Sequence, residues 1–365
     1  MPEFWTFAVA RDDLGRTTVA ETKTPVLAEG EALLRVDRVG LTANNVTYAV
    51  LGEAMRYWEF FPGSAYEIGL EWGLPPVWGF AEVAESTVEG VAAGQRVYGY
   101  FPPASHLVVR PERVDETGFR DGAPHRADLP SPYNVYRSTV GDPAYRAGQE
   151  DLLVLFRPLF FTSFMLADQV ADNGFYDADQ LILSSASSKT AYAAAFELHG
   201  RGHRLIGLTS PGNVAFTSAL GCYDQVLTYD EVPALDQVPT VYLDLSGSPS
   251  TREALRAHFN DHLVRDIAVG LTNQIPNAAA AGEVFFAPVQ MRKRRQDWGR
   301  DGLDQRFADA WQRFAGAAEQ WVDVQAGAGP SDLRNAWLEV FHGRTSPRTG
   351  HVVQFARDRL RTAGR

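Results

Sequence analysis

The residues best suited to chemistry form a short polar turn that contains a lysine. Residues 184–190 read SSASSKT and lie between an apolar stretch, QLILS, and a stretch with helical spacing over 188–199. The start of a helix that follows a strand can bind the pyrophosphate of a dinucleotide, because free backbone N–H groups and the helix dipole point towards it. We therefore predict that the turn supplies these cofactor ligands: Ser185, Ser187, Ser188, Lys189 and Thr190.

The turn contains no glycine, and this leaves a second interpretation open. Its hydroxyl groups are also ordinary helix-capping groups, which bind no ligand. The end of the turn, Ser188-Lys189-Thr190, matches the end of a nucleotide P-loop as well. The glycines of that loop and a magnesium-binding acid are missing, so we reject a P-loop.

The residues after the second strand indicate which cofactor is bound. That strand, RLIGLT, is followed by a polar turn without a carboxylate, SPGN. An acid at this point favours NAD, whereas uncharged or basic groups admit the additional phosphate of NADP. We predict NADP (NADPH), with Thr209, Ser210 and Asn213 among its ligands. The alternative is a plain polar turn in which Asn213 is the N-cap of the next helix.

Three further sets of polar residues have both a functional and a structural interpretation. Arg157 lies within LLVLFRPLFF, where a charge must be paired or must face a cleft, so it is a candidate for binding a substrate anion or for a structural ion pair. His258 and His262 are four residues apart on a predicted helix, but no glutamate lies between them, so we predict a solvated face and no metal site. The basic run 291–295 either pairs with a phosphate or carboxylate or forms a surface turn.

Composition excludes several classes of function. The 365 residues include 45 acidic and 34 basic side chains, and the resulting net charge of −11 disfavours nucleic acid as a partner. A single cysteine, Cys222, excludes an internal disulfide framework and a cysteine-rich zinc site. We find no run of about 18 apolar residues and no signal-peptide pattern. We therefore predict a cytoplasmic protein that acts on a small molecule and does not enter a membrane.

The elements that must position these residues change in pattern along the chain. Residues 1–115 read as short strands between glycines and prolines, which indicates a β-rich domain. Residues 116–150 are polar and rich in helix and strand breakers, so we predict a long insertion without a core element. From residue 180 onward strands alternate with helices, which is typical of a doubly wound parallel sheet. Gly200 and Gly221 follow two of these helices, where a left-handed cap favours glycine.

We predict three segments: a β-rich domain over 1–150, a dinucleotide-binding domain over 151–290, and a C-terminal segment over 291–365 that returns to the first domain. That last segment carries two amphipathic stretches, about 303–322 and 331–342, and a final strand, HVVQFAR.

In order and spacing, these segments resemble the medium-chain dehydrogenase/reductase superfamily, in its zinc-independent quinone reductase and enoyl reductase branch. The matching segments are VGLTANNVTYAVLG (39–52), GFAEVAESTVEGVAAGQRVYGY (79–100), HRLIGLTSPGNVAFTSALGCYDQVLTYDE (203–231) and VYLDLSG (241–247). The motifs SSASSKTA, FFAP and RKRRQDWG resemble a subgroup of that superfamily. The resemblance implies an α/β fold with a GroES-like catalytic domain and a Rossmann domain.

The resemblance also implies roles for individual residues. Asn45 would contact the cofactor ribose or the substrate, and Tyr48 would be catalytic by polarising a carbonyl or donating a proton. Thr42 and Tyr57 would bind the substrate, with Arg157 as the anion-binding candidate named above; the alternative for Tyr48 and Tyr57 is that they only pack in the core. The ends of later strands would add three cofactor contacts: Ser246, Gly247 and Thr272. The zinc-ligand cysteines of alcohol dehydrogenases are absent, which excludes zinc-dependent alcohol oxidation.

These observations favour an NADP(H)-dependent oxidoreductase that reduces a conjugated carbonyl or enoyl substrate in the cleft between the two domains. Related enzymes commonly pair, so a homodimer is expected. The second hypothesis is a member that has lost or altered dinucleotide binding and acts as a ligand-binding protein or a lyase-like enzyme. The glycine-free turn is the main support for that second hypothesis.

Overall fold

The computed structural model describes residues 4–269 and 283–355, and the chain divides into two compact units. Unit 1 comprises Met1–Leu155 and Asp323–Arg365, and unit 2 comprises Phe156–Val322. The strands are β1 (Trp5–Ala10), β2 (Thr17–Glu21), β3 (Ala32–Leu41), β4 (Trp72–Gly73), β5 (Val77–Ser86), β6 (Arg96–Phe101), β7 (His106–Val109), β8 (Pro111–Asp115), β9 (Gly118–Asp121), β10 (Val135–Ser138), β11 (Gln180–Leu183), β12 (Arg204–Thr209), β13 (Gln225–Thr228), β14 (Thr240–Asp244), β15 (Leu263–Val269), β16 (Glu283–Phe285), β17 (Asp323–Ala328) and β18 (Thr349–Gln354). The α-helices are α1 (Ala43–Val50), α2 (Glu150–Asp172), α3 (Lys189–Leu198), α4 (Val214–Ala219), α5 (Pro249–Phe259), α6 (Ala287–Trp321) and α7 (Gly329–Phe341).

Unit 1 is built on two sheets. The smaller sheet has the order β2-β1-β4, and the larger has the order β17-β18-β3-β5-β6-β10-β9-β8, with β7 also paired to β3. Two glycines explain why β3 and β5 lie so close to their neighbours. A Cβ atom at Gly40 would lie 2.4 Å from the carbonyl oxygen of Val154, and one at Gly79 would lie 2.4 Å from that of Arg38. These positions therefore require glycine because the backbones approach too closely for a side chain.

The prediction of an insertion without core elements over 116–150 is wrong. The segment supplies β9 and β10 to the larger sheet, and several of its buried polar side chains are hydrogen-bonded within the segment. The Arg126 side chain is 1% exposed, and its Nη1 atom lies 2.6 Å from Oδ2 of Asp121 and donates to the Tyr136 hydroxyl at 3.0 Å. Asn134 donates to the Arg126 carbonyl oxygen at 3.0 Å. A buried charge is tolerated here because it is paired and hydrogen-bonded.

Unit 2 contains a parallel sheet of six strands in the order β13-β12-β11-β14-β15-β16. Numbered from β11, this is the order 3-2-1-4-5-6 of the doubly wound dinucleotide-binding fold. The strand order reverses between β11 and β14, and ligands of such sheets bind outside the carboxyl ends of the strands at that point. Gly200 and Gly221 have φ values of 74° and 69°, which confirms both predicted left-handed caps.

The predicted start of the returning segment at residue 291 differs from the observed division. Residues 291–322 belong to unit 2, and the chain returns to unit 1 only at Asp323. The cause is α6, which starts at Ala287, well before the predicted helix, and changes direction at Gly299 (φ 73°). Its aromatic side chains pack on α2: the Phe160 ring lies 4.6 Å from Phe314 and 5.6 Å from Trp311.

Residues 147–172, which end with α2, are long and apolar enough to cross a membrane by length and composition alone. Two thirds of the most apolar part, 67%, is buried inside the protein. Burial of this kind is typical of a core helix, and the packing of Phe160 on α6 provides its apolar surroundings.

Candidate functional site

The turn over 184–190 lies at the carboxyl end of β11, where the strand order of unit 2 reverses. Its backbone is hydrogen-bonded to the neighbouring strand β12, where the Leu208 carbonyl oxygen accepts from Ala186 N–H at 3.0 Å. A Cβ atom at Gly207 would lie 2.9 Å from the Ala186 methyl group, so both positions must be small. Ser188 is the N-cap of α3, and its Oγ atom accepts from Ala191 N–H at 3.3 Å. The first turn of α3 is thus placed as in a dinucleotide site, although Ser188 also has the predicted capping role.

Ser185 adopts the left-handed conformation, with φ 49°. Glycine is the usual residue in this conformation, which costs other residues roughly 1–2 kcal/mol. The Ser185 N–H group donates to the Tyr229 hydroxyl at 3.0 Å. Tyr229 follows β13 and was not predicted as a site residue. The sequence signal was a tyrosine directly after the third strand of the parallel sheet.

Ser187 connects the turn after β11 with the carboxyl end of β12 in the parallel sheet. Its Oγ atom accepts hydrogen bonds from the Thr209 hydroxyl and the Asn213 amide, each at 3.2 Å. Asn213 occupies the N-cap position of α4, but its side chain makes no capping bond there and turns to Ser187 instead. The exposed Ser210 accepts the Asn213 N–H bond at its carbonyl oxygen, at 2.9 Å. The structure therefore brings together the predicted ligands of the two strand ends.

Lys189 is half-buried at the first position of α3. Its Nζ atom lies 6.0 Å from the centre of the Phe156 ring. Burial disfavours the charged amine and lowers the pKa of Lys189 to about 8. The next residue, Thr190, accepts a hydrogen bond from the Ser163 hydroxyl at its carbonyl oxygen, at 2.7 Å.

Asp244 lies at the end of β14, next to the point where the strand order reverses, and binds several groups there. Its Oδ1 atom accepts from Ser184 Oγ at 2.9 Å, and from the N–H groups of Ser246 and Gly247 at 3.0 and 2.9 Å. Its Oδ2 atom is 2.8 Å from Nη2 of Arg252. Burial alone would raise the pKa of Asp244, but these hydrogen bonds outweigh it and lower the pKa.

This arrangement affects two of the predicted cofactor contacts. The backbone N–H groups of Ser246 and Gly247 are directed to Asp244, and Thr272 lies outside the described residues. Asp244 itself was missed, although an acid inside the apolar stretch VYLDLSG was the signal. Cofactor contacts by these three residues stay predictions.

In unit 1, Thr42 and Asn45 form the start of α1. Thr42 is its N-cap, and Asn45 Oδ1 accepts from Thr42 N–H at 2.8 Å while Nδ2 donates to the Pro76 carbonyl oxygen at 2.9 Å. The Asn45 side chain is buried; its Oδ1 atom serves the capping box of α1, and its Nδ2 atom ties α1 to the residue before β5. Contacts of Thr42 and Asn45 with cofactor or substrate stay predictions.

Tyr48 and Tyr57 lie in an aromatic cluster of unit 1, with their ring centres 4.7 Å apart. The indole N–H of Trp78 donates to the Tyr48 hydroxyl oxygen at 3.0 Å. The Tyr57 hydroxyl lies 3.4 Å from that of Tyr133, a residue of the 116–150 segment. Tyr100 packs against Tyr48 and Tyr133 at ring distances of 5.5 and 4.7 Å. Burial is the main cause that raises the pKa of both Tyr48 and Tyr57, so both phenols are protonated at neutral pH.

A pocket of about 240 Å³ also lies in unit 1, and none of the predicted site residues lines it. Its wall includes Tyr66, His106 and His125. Burial lowers the pKa of His106 to about 4, so this histidine is uncharged at neutral pH.

The remaining polar candidates from the sequence contact other groups of the protein. Arg157 is buried, with its guanidinium carbon 5.7 Å from the centre of the Phe307 ring. In the basic run on α6, Arg294 Nε lies 2.6 Å from Asp168 Oδ2, and Lys293 Nζ lies 3.0 Å from Asp172 Oδ2. His258 donates from Nε2 to the Leu235 carbonyl oxygen at 2.9 Å. Among residues 4–269 and 283–355, no three His, Cys, Asp or Glu side chains are grouped to hold a metal ion.

Comparison with known proteins places the chain in a family. The family model described as "Protein of unknown function (DUF2855)" matches residues 39–346. The chain belongs to the DUF2855 family. No curated protein matches the sequence of this chain.

Several solved structures share the fold of this DUF2855 protein. CurA from Vibrio vulnificus in complex with NADPH is 12% identical, covers 97% of this chain and 99% of its own, and has a TM-score of 0.62. A putative NADPH:quinone reductase from Mesorhizobium loti is 14% identical, with the same coverages and a TM-score of 0.60. The CurF ER cyclopropanase of the curacin A biosynthetic pathway is 14% identical, covers 97% of this chain and all (100%) of its own, and has a TM-score of 0.60. These likenesses confirm the two-domain α/β fold that the superfamily resemblance predicted.

Proposed function

We propose that this protein is an NADPH-dependent reductase. The observation that carries the proposal is the reversal of strand order between β11 and β14, with a serine- and lysine-containing turn and the start of α3 at that point. Such a point is where dinucleotides bind in sheets of this order. Two proteins of the same fold support it: CurA was crystallised with NADPH, and the Mesorhizobium loti protein is described as a putative NADPH:quinone reductase.

The side chains around the turn fit a dinucleotide phosphate. The first turn of α3 offers backbone N–H groups, and a phosphate beside Lys189 would stabilise the charged form of an amine that burial has made less basic. Ser187, Thr209 and Asn213 form a neutral hydroxyl and amide cluster, which suits a ribose that carries a phosphate. Bound NADPH would supply a hydride.

The proposed substrate class is a conjugated carbonyl or an enoyl compound, reduced without zinc. A hydride added to such a compound leaves an enolate, which needs a proton and a donor to its oxygen. Tyr48 is protonated at neutral pH and is the candidate donor. Tyr57, Thr42 and Arg157 are retained as proposed substrate contacts.

NADPH binding tests this function directly. The purified protein is titrated with NADPH while nicotinamide fluorescence is followed, and saturation in the micromolar range is expected. Lys189→Ala should weaken binding, whereas Lys23→Ala, at an exposed lysine paired with Glu67, should not. No saturable binding up to high micromolar NADPH would refute the reductase.

One observation favours the second candidate, a protein that has lost or altered dinucleotide binding and acts as a ligand-binding protein or a lyase-like enzyme. The Tyr229 hydroxyl already accepts the Ser185 N–H group, which is one of the donors that a phosphate would use. If this contact blocks the site, Tyr229→Phe should create or tighten NADPH binding relative to wild type. Equal binding by both proteins would show that the tyrosine is compatible with the cofactor.

A cytoplasmic location and a homodimer remain part of the proposal. The single cysteine, Cys222, is buried and unpaired with another cysteine, which suits a reducing compartment. Light scattering coupled to size-exclusion chromatography tests the oligomeric state, and a mass near the 40.2 kDa of one chain would contradict the dimer.

A further inference from the structure

The pocket of about 240 Å³ in unit 1 is a second candidate site. Its wall is formed by residues 22–25, which follow β2, by residues within 60–67, and by the start of β7 at His106. The wall also includes His125. None of the residues proposed above to bind NADPH or the substrate lines this pocket, so a role for it must be argued from its own wall.

The His106 ring has a fixed position in this wall. The residue is only 6% exposed, and its ring packs edge-on against Phe4 at 5.0 Å and lies 5.7 Å from the Tyr66 ring. Its Nδ1 atom is 3.2 Å from the Ser105 hydroxyl. Nε2 is therefore the ring atom available for a further hydrogen bond, and it has no partner in the part of the chain that the structure describes.

Thr22 supplies a second polar atom to the same wall. Its Oγ1 atom is buried and makes no hydrogen bond with residues 4–269 and 283–355. The Thr22 N–H group donates to the Phe4 carbonyl oxygen at 3.0 Å, which fixes this segment next to the ring that packs on His106. Polar atoms in a protein interior are destabilising without partners. Two such atoms in one pocket wall are explained if a bound molecule supplies the partner.

The charges around the pocket favour a neutral ligand. Lys23 Nζ lies 2.5 Å from Glu67 Oε1, and both of these side chains are exposed. Burial lowers the pKa of His106 to about 4 and also lowers that of His125, so both imidazoles are neutral at neutral pH. His125 already donates from Nε2 to the Phe60 carbonyl oxygen at 3.2 Å. A buried ion would therefore find no free counter-charge among the described residues that line the pocket.

The size and the apolar part of the wall favour a compact ring. The apolar lining includes Phe60, Phe61, Pro62 and Leu107. A cavity of about 150 Å³ can hold benzene, so 240 Å³ accommodates a single ring with small substituents. A hydroxyl substituent can both donate and accept, so it can bond to Nε2 of His106 whichever ring nitrogen carries the proton.

We propose that this pocket binds a neutral single-ring hydroxy compound of the phenol class, whose hydroxyl group bonds to Nε2 of His106 and whose ring contacts the apolar wall. The proposal does not depend on the reductase function. Phe60 also packs on Tyr133 at 5.3 Å and on Tyr57 at 6.5 Å, so the pocket shares a wall residue with the aromatic cluster that contains Tyr48.

Binding of 4-fluorophenol to the full-length protein tests the site. Fluorine NMR of this compound measures its Kd, and we expect saturation with a Kd of about 1 mM or tighter. Fluorobenzene lacks the hydroxyl group and should bind about fivefold more weakly. No saturation up to about 10 mM 4-fluorophenol, or equal affinity for the two compounds, would overturn the proposal.

A histidine variant tests the proposed hydrogen bond. His106→Phe keeps an aromatic ring but removes Nε2, so it should bind 4-fluorophenol about fivefold more weakly than wild type and should no longer prefer it to fluorobenzene. His203→Phe is the matched control, because His203 lies in unit 2 and its ring stacks on Phe175, and it should bind like wild type. Wild-type affinity and preference in His106→Phe would contradict the assignment.

Photolabelling locates the bound ring without a substitution. Wild-type protein is irradiated with 4-azidophenol, and the labelled residues are identified by mass spectrometry. We expect label within 22–25 or 106–108 that excess 4-fluorophenol suppresses. Label only elsewhere, for example at Tyr48, would overturn the proposal, and this result decides it if His106→Phe does not fold. Lys189→Ala should bind 4-fluorophenol like wild type, so a failure of NADPH binding and a failure of this site are distinguishable.

Discussion

The lowered pKa of Lys189 predicts that NADPH binding depends on pH in a range where the cofactor phosphates do not titrate. With a pKa of about 8, roughly 90% of the free protein carries a charged Lys189 at pH 7, and roughly 10% at pH 9. A bound phosphate favours the charged amine and raises its pKa, so binding takes up a proton at alkaline pH. The apparent Kd should therefore increase about tenfold between pH 7 and pH 9, or about 1.4 kcal/mol.

Two variants identify Lys189 as the origin of this dependence. Lys189→Arg keeps a charge that does not titrate below pH 12, so its binding should not change between pH 7 and pH 9. Lys189→Met should bind about 10- to 100-fold more weakly at pH 7, the effect of losing one hydrogen bond to a charged group, and should also show no pH dependence. Fluorescence titrations at constant ionic strength measure these constants. An equal wild-type Kd at pH 7 and pH 9, or the same tenfold change in Lys189→Met, would refute the assignment.

Two further predictions concern the stability of the site. Ser185→Gly should raise the free energy of unfolding by up to about 1 kcal/mol, because glycine removes the left-handed strain at φ 49°. Ser187→Gly should lower the free energy of unfolding, because it loses the hydrogen bonds from Thr209 and Asn213. Equal urea midpoints for the two variants would contradict this prediction. Asp244→Asn should lower the free energy of unfolding by about 2–4 kcal/mol, since it weakens a buried network that includes Arg252, and a loss below about 1 kcal/mol in urea unfolding would disprove that role.

The sequence was sufficient to predict the architecture of unit 2. Alternating strands and helices predict a parallel sheet, and the observed strand order is the one that this alternation implies in dinucleotide-binding domains. Gly200 and Gly221 marked helix ends correctly, because a left-handed cap is a local requirement that one residue type meets.

Elements that depend on distant partners could not be predicted in the same way. The polar segment 116–150 looked unsuitable for a core because the partners of its charges are visible only after folding, as with Arg126 and Asp121. The start of α6 is rich in charge, and the carboxylates that pair with it lie on α2, more than 120 residues earlier, as the Arg294 bond to Asp168 shows. Sequence periodicity carries no information on such pairs.

The candidate site shows the same limit. The turn over 184–190 was found because strand, turn and helix are adjacent in sequence. Tyr229 and Asp244 were missed because they reach that turn from other strand ends, about 44 and 60 residues away, through the bonds to Ser185 and Ser184. The acid in VYLDLSG was visible in the sequence, but nothing local indicated that it would accept hydrogen bonds from several groups at once.

The pairing of β18 with β3 has a consequence for the order in which the protein is made. Val353 lies opposite Val39, so a strand near the start of the chain must wait for one near its end. Unit 2 is continuous in sequence, so all of it is made while the edge of β3 that pairs with β18 is still unpaired. During synthesis the nascent chain therefore exposes an unpaired edge of β3 until β18 has been made, and chaperones that shield such edges will matter most for unit 1.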